Sequence, residues 1–321
     1  MKAFTALLIL AFASGLSAGA IAQSKEGPPV WAYPVNPPGL KPPPDDGVPR
    51  RVPGSTASFT VTQIRDRFFA PAWHPGDHPP MPEVVARGRK PDVFACGFCH
   101  RADGPGGPEN SGLAGLPAAY IAQQMADYKS GARTTSVPKR NIELMISLAK
   151  AATDAEVQAA AAYFAALKPK SIIRVVESDT APTTIVTSWH LVPVKPGQAE
   201  PIGQRIIEVP ENPEQFASRD SRSRFIAYVP VGSIEKGREL AASGGGGKTI
   251  QCGACHGPGL KGSGPIPGIA GRSPSYTFRQ LYDFKHGARA GIGGALMMPA
   301  VERLALEDMI SLAAYVASLA P

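Results

Sequence analysis

One five-residue pattern occurs twice and constrains everything else about the chain: Cys96-Gly97-Phe98-Cys99-His100 and Cys252-Gly253-Ala254-Cys255-His256. A Cys-x-x-Cys-His run sets two thiols one turn apart with an imidazole beside the second. The thiols can then add to the two vinyl groups of a haem while the imidazole reaches the iron. Each copy therefore reads as a c-type attachment site, and the pair predicts two covalently bound haem c groups. The two copies use all 4 cysteines, so none remains for a disulfide. A zinc ribbon fits less well, because its two knuckles stand about 15–20 residues apart, whereas Cys99 and Cys252 are separated by a domain's worth of chain. A thioredoxin-like site needs a βαβ setting, and neither copy has strand signals just before it and a long helix after it.

With 321 residues the chain is long enough for two or three domains. Residues 1–22 read as a secretory signal peptide: Met1-Lys2, a short apolar run from Ala6 to Phe12, then small residues to Ala20-Ile21-Ala22. That run is too short to span a bilayer, and no later segment approaches such a span. The expectation is export to a bacterial periplasm, which suits covalent haem attachment. The net charge of +7 can steer association with an acidic protein or an anionic surface. Nucleic acid, the other usual partner of a basic chain, is not met there.

Residues 23–58 form a proline-rich arm, with Pro28-Pro29 and Pro42-Pro43-Pro44 favouring extended polyproline II over helix or ladder. It is either laid across a neighbouring surface through Trp31 and Tyr33 or disordered. A lead-in segment, 59–81, holds a possible helix from Thr62 to Phe69, then His74, His78 and Met81 among prolines. These three read as part of an ordered loop, with iron ligation a minor alternative.

The first haem unit spans 82–170 and the second 231–321. Offset by 156 residues, Tyr120, Gln124, Asp127, Lys129, Gly131, Ala132 and Arg133 overlie Tyr276, Gln280, Asp283, Lys285, Gly287, Ala288 and Arg289. Leu113-Ala114-Gly115 matches Ile269-Ala270-Gly271 in the same register, so the two units are copies of one. Beyond Arg133 the offset falls to 152, and Tyr163 overlies Tyr315 within helices of matching apolar rhythm. The first of these opens with a Thr153-x-x-Glu156 capping box. Between the units, 171–230 carries β-branched and aromatic runs at 172–176, 184–189, 205–209 and 224–229, bounded by Pro and Gly. It reads as a small β-rich connector.

The second axial ligand of each iron decides its chemistry, since a thioether raises the potential and leaves no open position for a substrate. Met125 and Met309 lie on apolar helix stripes and read as packing. Met145 remains in the first unit and Met297 or Met298 in the second; in the register of 152, Met145 overlies Met297. Arg133 and Arg289, at matched positions, suit either haem propionates or helix C-terminal charge.

These features together resemble the class I cytochromes c, most closely dihaem proteins of the cytochrome c4 type, over about 82–169 and 231–320. The resemblance implies a mainly α protein: two helical cytochrome domains joined by the β-rich connector, with the proline-rich arm ahead of them. It implies Cys96, Cys99, Cys252 and Cys255 holding the haems, with His100 and His256 as proximal and Met145 and Met297 as distal ligands. The implied role is single-electron transfer between redox partner proteins, either as a free carrier or as the haem subunit or acceptor of a dehydrogenase, rather than catalysis. The alternative is a dihaem peroxidase-like enzyme in which one haem opens a coordination site. Two departures stand out. In such proteins a proline two residues before the Leu/Ile-Ala-Gly turn often offers its carbonyl to the proximal imidazole; Pro267 occupies that place in the second unit, but Ser111 does in the first. Only eight residues run from Gly88 to Cys96, against fifteen from Gly237 to Cys252, so the first opening helix is shortened and its haem edge is either exposed or covered by 59–83.

If both motifs carry haem, the denatured protein has no alkylatable thiol and its mass exceeds that of the polypeptide by two haems; a single reactive pair of thiols would remove one site.

Overall fold

The computed structural model describes residues 27–41 and 44–321. The signal-peptide reading of 1–22 and the proline pair Pro42-Pro43 lie outside the described residues.

A lead-in helix α1 (Val61–Arg65) is set by a capping box in which Thr60 and Gln63 satisfy one another's backbone. It is shorter than the run from Thr62 to Phe69, because Asp66 turns to an extended conformation. The first unit then follows as α2 (Glu83–Ala86), α3 (Cys96–His100), α4 (Ala118–Ser130), α5 (Arg140–Ala151) and α6 (Asp154–Ala166). Gly131 ends α4 in the left-handed conformation at φ 82°. The Thr153 and Glu156 capping box opens α6. Val85, Ile121, Ala161, Phe164 and Leu167 meet in one apolar core between α2, α4 and α6.

Residues 171–230 fold around seven strands: β1 (Ile173–Glu177), β2 (Thr180–Pro182), β3 (Thr184–Thr187), β4 (His190–Pro193), β5 (Ala199–Pro201), β6 (Ile207–Pro210) and β7 (Phe225–Val229), with α7 (Pro213–Ala217) between the last two. The main sheet has order β1-β7-β6, parallel between β1 and β7 and antiparallel between β7 and β6. Alternate residues of β7, namely Phe225, Ala227 and Val229, are buried, as period-2 patterning requires. β3 and β4 form a hairpin whose turn residues Ser188 and Trp189 both have positive φ, the geometry that matches strand twist.

The second unit comprises α8 (Ser233–Ser243), α9 (Gly253–His256), α10 (Pro274–Lys285), α11 (Ile292–Ala295), α12 (Met298–Val301) and α13 (Leu306–Ser318). Here α8 crosses α13 so closely that a Cβ on Gly237 would lie 2.0 Å from the Ser311 carbonyl oxygen. Gly88 plays a different part: it follows α2 in a turn at φ 65°, so it is not the counterpart of Gly237. The first unit does open with a shortened helix, one turn in α2 against eleven residues in α8.

The arm does not run free where it is described. Val30–Ala32 makes a single 3-10 turn, and the Trp31 ring packs on Phe278 at 4.6 Å while Tyr33 meets Tyr282 edge-on at 5.9 Å. The Tyr33 hydroxyl donates to Asp283 and the Arg279 guanidinium to the Ala32 carbonyl, anchoring the arm on α10. Burying such an aromatic is worth about 1.5–3 kcal/mol, enough to hold a segment that has no ladder of its own.

The two units join through a pseudo-twofold clasp. Arg133 donates to Gln124 of its own unit (2.6 Å) and to Tyr276 (2.9 Å) and Gln280 (3.0 Å) of the other. Arg289 mirrors it, donating to Gln280 (3.0 Å), Gln124 (2.7 Å) and Tyr120 (3.4 Å). Backbone bonds from Thr134 to the Ala288 carbonyl and from Ala290 to the Ala132 carbonyl, each 2.7 Å, close the seam. Both arginines are 7 % exposed and are engaged between units, rather than serving as surface charges at helix ends. Burial alone would raise the Tyr276 phenol, but Arg133 and Arg289 outweigh it and hold the group at about 8. Replacing Arg133 by Met removes its bonds to Gln124, Tyr276 and Gln280 from a buried seam, a loss of about 1–3 kcal/mol. The Tyr276 ionisation, followed by ultraviolet absorbance, should move upward in the same variant; an unmoved titration would detach Tyr276 from the clasp.

Candidate functional site

Each motif is a single helical turn that ends where the chain swings out at positive φ: Arg101 at φ 69°, ψ 162° after α3, and Gly257 at φ 73°, ψ 179° after α9. That region is populated almost entirely by glycine and costs other residues about 1–3 kcal/mol. The turn presents two cysteines and an imidazole on one short stretch, and none of the four cysteines is bridged to another. Burial pushes the Cys96 thiol up to about 12 and raises Cys99 and Cys252 as well. Among the described residues no three His, Cys, Asp or Glu side chains converge as a metal site, so the two cysteine pairs do not assemble a zinc ribbon.

The imidazoles are held alike. His100 Nδ1 lies 2.8 Å from the Ser111 carbonyl, and His256 Nδ1 lies 2.8 Å from the Pro267 carbonyl. Only a protonated Nδ1 can donate to a carbonyl, so the network assigns the proton to Nδ1 and leaves the Nε2 lone pair for a metal. Burial lowers both imidazole pKa values, with the carbonyl bond opposing in each case, and favours the neutral, ligating form. The expected difference between Ser111 and Pro267 therefore vanishes at the imidazole: the acceptor is a backbone oxygen, which either residue supplies.

The candidate methionines fall on matching elements. Met145 is half-buried on α5, and Met297 is half-buried at the start of α12, packing against the same core cluster as Cys252. Met298, the next residue, is 36 % exposed. Met309 is fully in the core and Met125 packs against the first unit's core, both as packing residues. Of the lead-in residues, His74 Nε2 is bound to buried Asp220 at 3.1 Å and His78 Nδ1 faces the Pro79 carbonyl. Met81 packs against the two clusters that also receive Cys96 and Cys99.

The outer faces of the motifs differ. Gly97 and Phe98 are buried beneath Ala70, Val85 and Met81, and the Arg219 guanidinium lies 3.6 Å above the Phe98 ring while donating to the Phe98 carbonyl. Gly253, Ala254 and Cys255 are exposed. The first motif is thus covered by the lead-in segment. In the same unit, buried polar atoms stand without a protein partner, among them Arg101 Nη1 and Lys139 Nζ. Unpaired buried cations beside a motif of this type fit the carboxylates that a haem carries.

The cytochrome c family matches residues 85–168 and 234–320, one copy over each unit. The chain belongs to the cytochrome c family. Two such domains imply two covalent haem c groups in this dihaem cytochrome c. It is 29 % identical to a thiosulfate dehydrogenase electron acceptor of Thiomonas intermedia over 63 % of this chain and 67 % of that one. It is 25 % identical to cytochrome c4 of Pseudomonas aeruginosa over 70 % of this chain and 83 % of that one. A solved thiosulfate dehydrogenase of Marichromatium purpuratum superposes with a TM-score of 0.50 at 28 % identity, covering 72 % of this chain and 38 % of the larger protein. The first of these is named as an electron acceptor and the second as a cytochrome, while the solved structure is of a dehydrogenase.

A methyl group at position 97 would meet the Ala70 Cβ at 2.8 Å and the Val85 oxygen at 3.0 Å, whereas at 253 it meets nothing within 4 Å. Gly97→Ala should cost about 1–3 kcal/mol and Gly253→Ala no more than about 0.5 kcal/mol in denaturant unfolding. Equal effects would mean that the first motif is not covered.

Proposed function

We propose that this cytochrome carries single electrons between redox proteins in a bacterial periplasm, with His100 and Met145 as the axial ligands of the first haem and His256 and Met297 as those of the second. Cys96 and Cys99 would hold the first haem, Cys252 and Cys255 the second. The observation that carries the reading is the pair of imidazoles whose Nδ1 is tied to a carbonyl at 2.8 Å, each beside two unbridged cysteines. Each haem, when bound, takes up or releases one electron at its iron.

The chain's own residues do the rest. The Ser111 and Pro267 carbonyls fix the ring orientation and make each imidazole a better donor. The thioethers of Met145 and Met297 would complete the ligand sets of the two haems and favour the reduced state, which suits transfer rather than substrate turnover. Both imidazoles are half-buried, which limits their contact with water. No described helix is long and apolar enough to cross a membrane. The name of the Thiomonas relative points to a sulfur-compound dehydrogenase as electron donor. The β-rich connector and the proline-rich arm docked on α10 offer surface for such a partner, and a net charge of +7 favours one with an acidic face.

Axial ligation is read from the near-infrared sulfur–iron band of the oxidised protein. Met145→His and Met297→His should each remove about half of that band and lower one of the two reduction waves, as exchanging thioether for imidazole requires, while Met298→His leaves both intact. A full band in Met145→His would overturn the first assignment, and a halved band in Met298→His would move the second ligand by one residue.

A further inference from the structure

The internal repeat locates two buried cations that belong to the first unit alone. Arg101 follows His100, and its counterpart after His256 is Gly257; Lys139 caps α5, and its counterpart capping α11 is Gly291. Both cations are 3 % exposed. Arg101 sits in the backbone region that its counterpart occupies as glycine, so its side chain is retained against conformational preference. Its guanidinium lies 4.8 Å from the Phe216 ring centre and 3.9 Å from Glu109, with Nη1 unpartnered. Lys139 Nζ has no partner either. The loop between them is tied to both ends of the site: Asn110 donates to the Cys99 carbonyl, and Asn141 at the start of α5 donates to the Glu109 carbonyl.

The surrounding charges do not cancel this excess. Glu109, whose counterpart is Pro265, offsets one cation, but half-buried Arg219 over Phe98 adds another. Asp103 is paired with Lys170 at 2.6 Å, and Asp220 is held by Gln215 and His74. Across the seam, Arg279 is engaged by the Ala32 and Pro108 carbonyls, and Asp283 by Tyr33 and Ser136. By contrast, His256 is shifted by burial and the Pro267 carbonyl, and no charged group among the described residues contributes. A ferric haem core carries one more positive charge than a ferrous one. Fixed cations in a poorly solvated site therefore disfavour the oxidised state and raise the potential.

We propose that Arg101 and Lys139 raise the reduction potential of the first haem above that of the second, so that the one-electron-reduced protein holds its electron on the first. The electron comes from a reduced protein partner; within the molecule the second iron returns from ferrous to ferric as the first goes from ferric to ferrous. Both residues act on the iron through their charge and contact no substrate. The proposal rests on the axial reading above.

The test is a spectroelectrochemical titration of the full-length holoprotein at pH 6, where Lys139, pulled down to about 7 chiefly by burial and by Arg279, is still charged. Met145→His assigns the first haem's wave by displacing it downward. The expected result is that this wave is the higher in the wild type. Arg101→Gly, which installs the counterpart residue and relieves the backbone, and Lys139→Met should each lower it alone, and Arg101→Lys should largely preserve it. Coincident waves, a lower first wave, or variants that move neither wave would overturn the proposal. A wild type lacking the sulfur–iron band would instead strike the ligand reading, while the Arg101→Gly shift would still report the charge effect.

Discussion

Each haem unit is organised around one hydrogen bond, from an imidazole Nδ1 to a carbonyl eleven residues further along the chain. The bond does two things at once. It selects the tautomer that can ligate iron, and it ties the motif turn to the loop that leads into the next long helix. Around it each unit arranges the same parts: a turn that must leave at positive φ, a Leu-Ala-Gly or Ile-Ala-Gly corner, and a closing helix whose apolar stripe seals the core. The corner glycines are packed against Pro169 and Pro321, the residues just beyond the closing helices, so the loop, the helix end and the imidazole are held together.

The parts that local chemistry decides were open to reading in the amino-acid order. Two thiols and an imidazole in five residues have few uses, and helices with a 3.6-residue apolar rhythm and a Thr153 and Glu156 cap declare themselves. What depends on distant partners was not. Ser111 in place of Pro267 looked like a lost acceptor, yet a carbonyl has no side-chain identity. Arg133 and Arg289 were compared with propionates and helix ends, although the matched Tyr120 and Tyr276, Gln124 and Gln280 were the signal of a clasp. Short pieces such as β2 and β5 carry too few residues for a periodic pattern, and the shortened opening helix left two outcomes open for the first haem edge, exposure or cover by the lead-in segment, between which a stretch broken by prolines does not choose.

The resulting molecule is a duplication with unequal halves. The shared plan sets the ligands, while additions outside it make the difference: the lead-in segment and Arg219 close over the first motif, and the second stays open at Gly253 and Ala254. Positions where one copy keeps glycine and the other a long cation mark the same divergence at the level of single residues. A compact unit can therefore be copied intact and then specialised by changing its surroundings rather than its ligands.

The crossed arginines also determine how quickly the halves communicate. Electron tunnelling falls off exponentially with separation, so a joint that breathed by an ångström or two would scatter the rate over a wide range. Arg133 and Arg289 each grip glutamine oxygens from both sides of the seam, and backbone bonds on either flank remove the remaining freedom. A joint clasped in this way holds the two units, and with them the haems they would carry, at one separation.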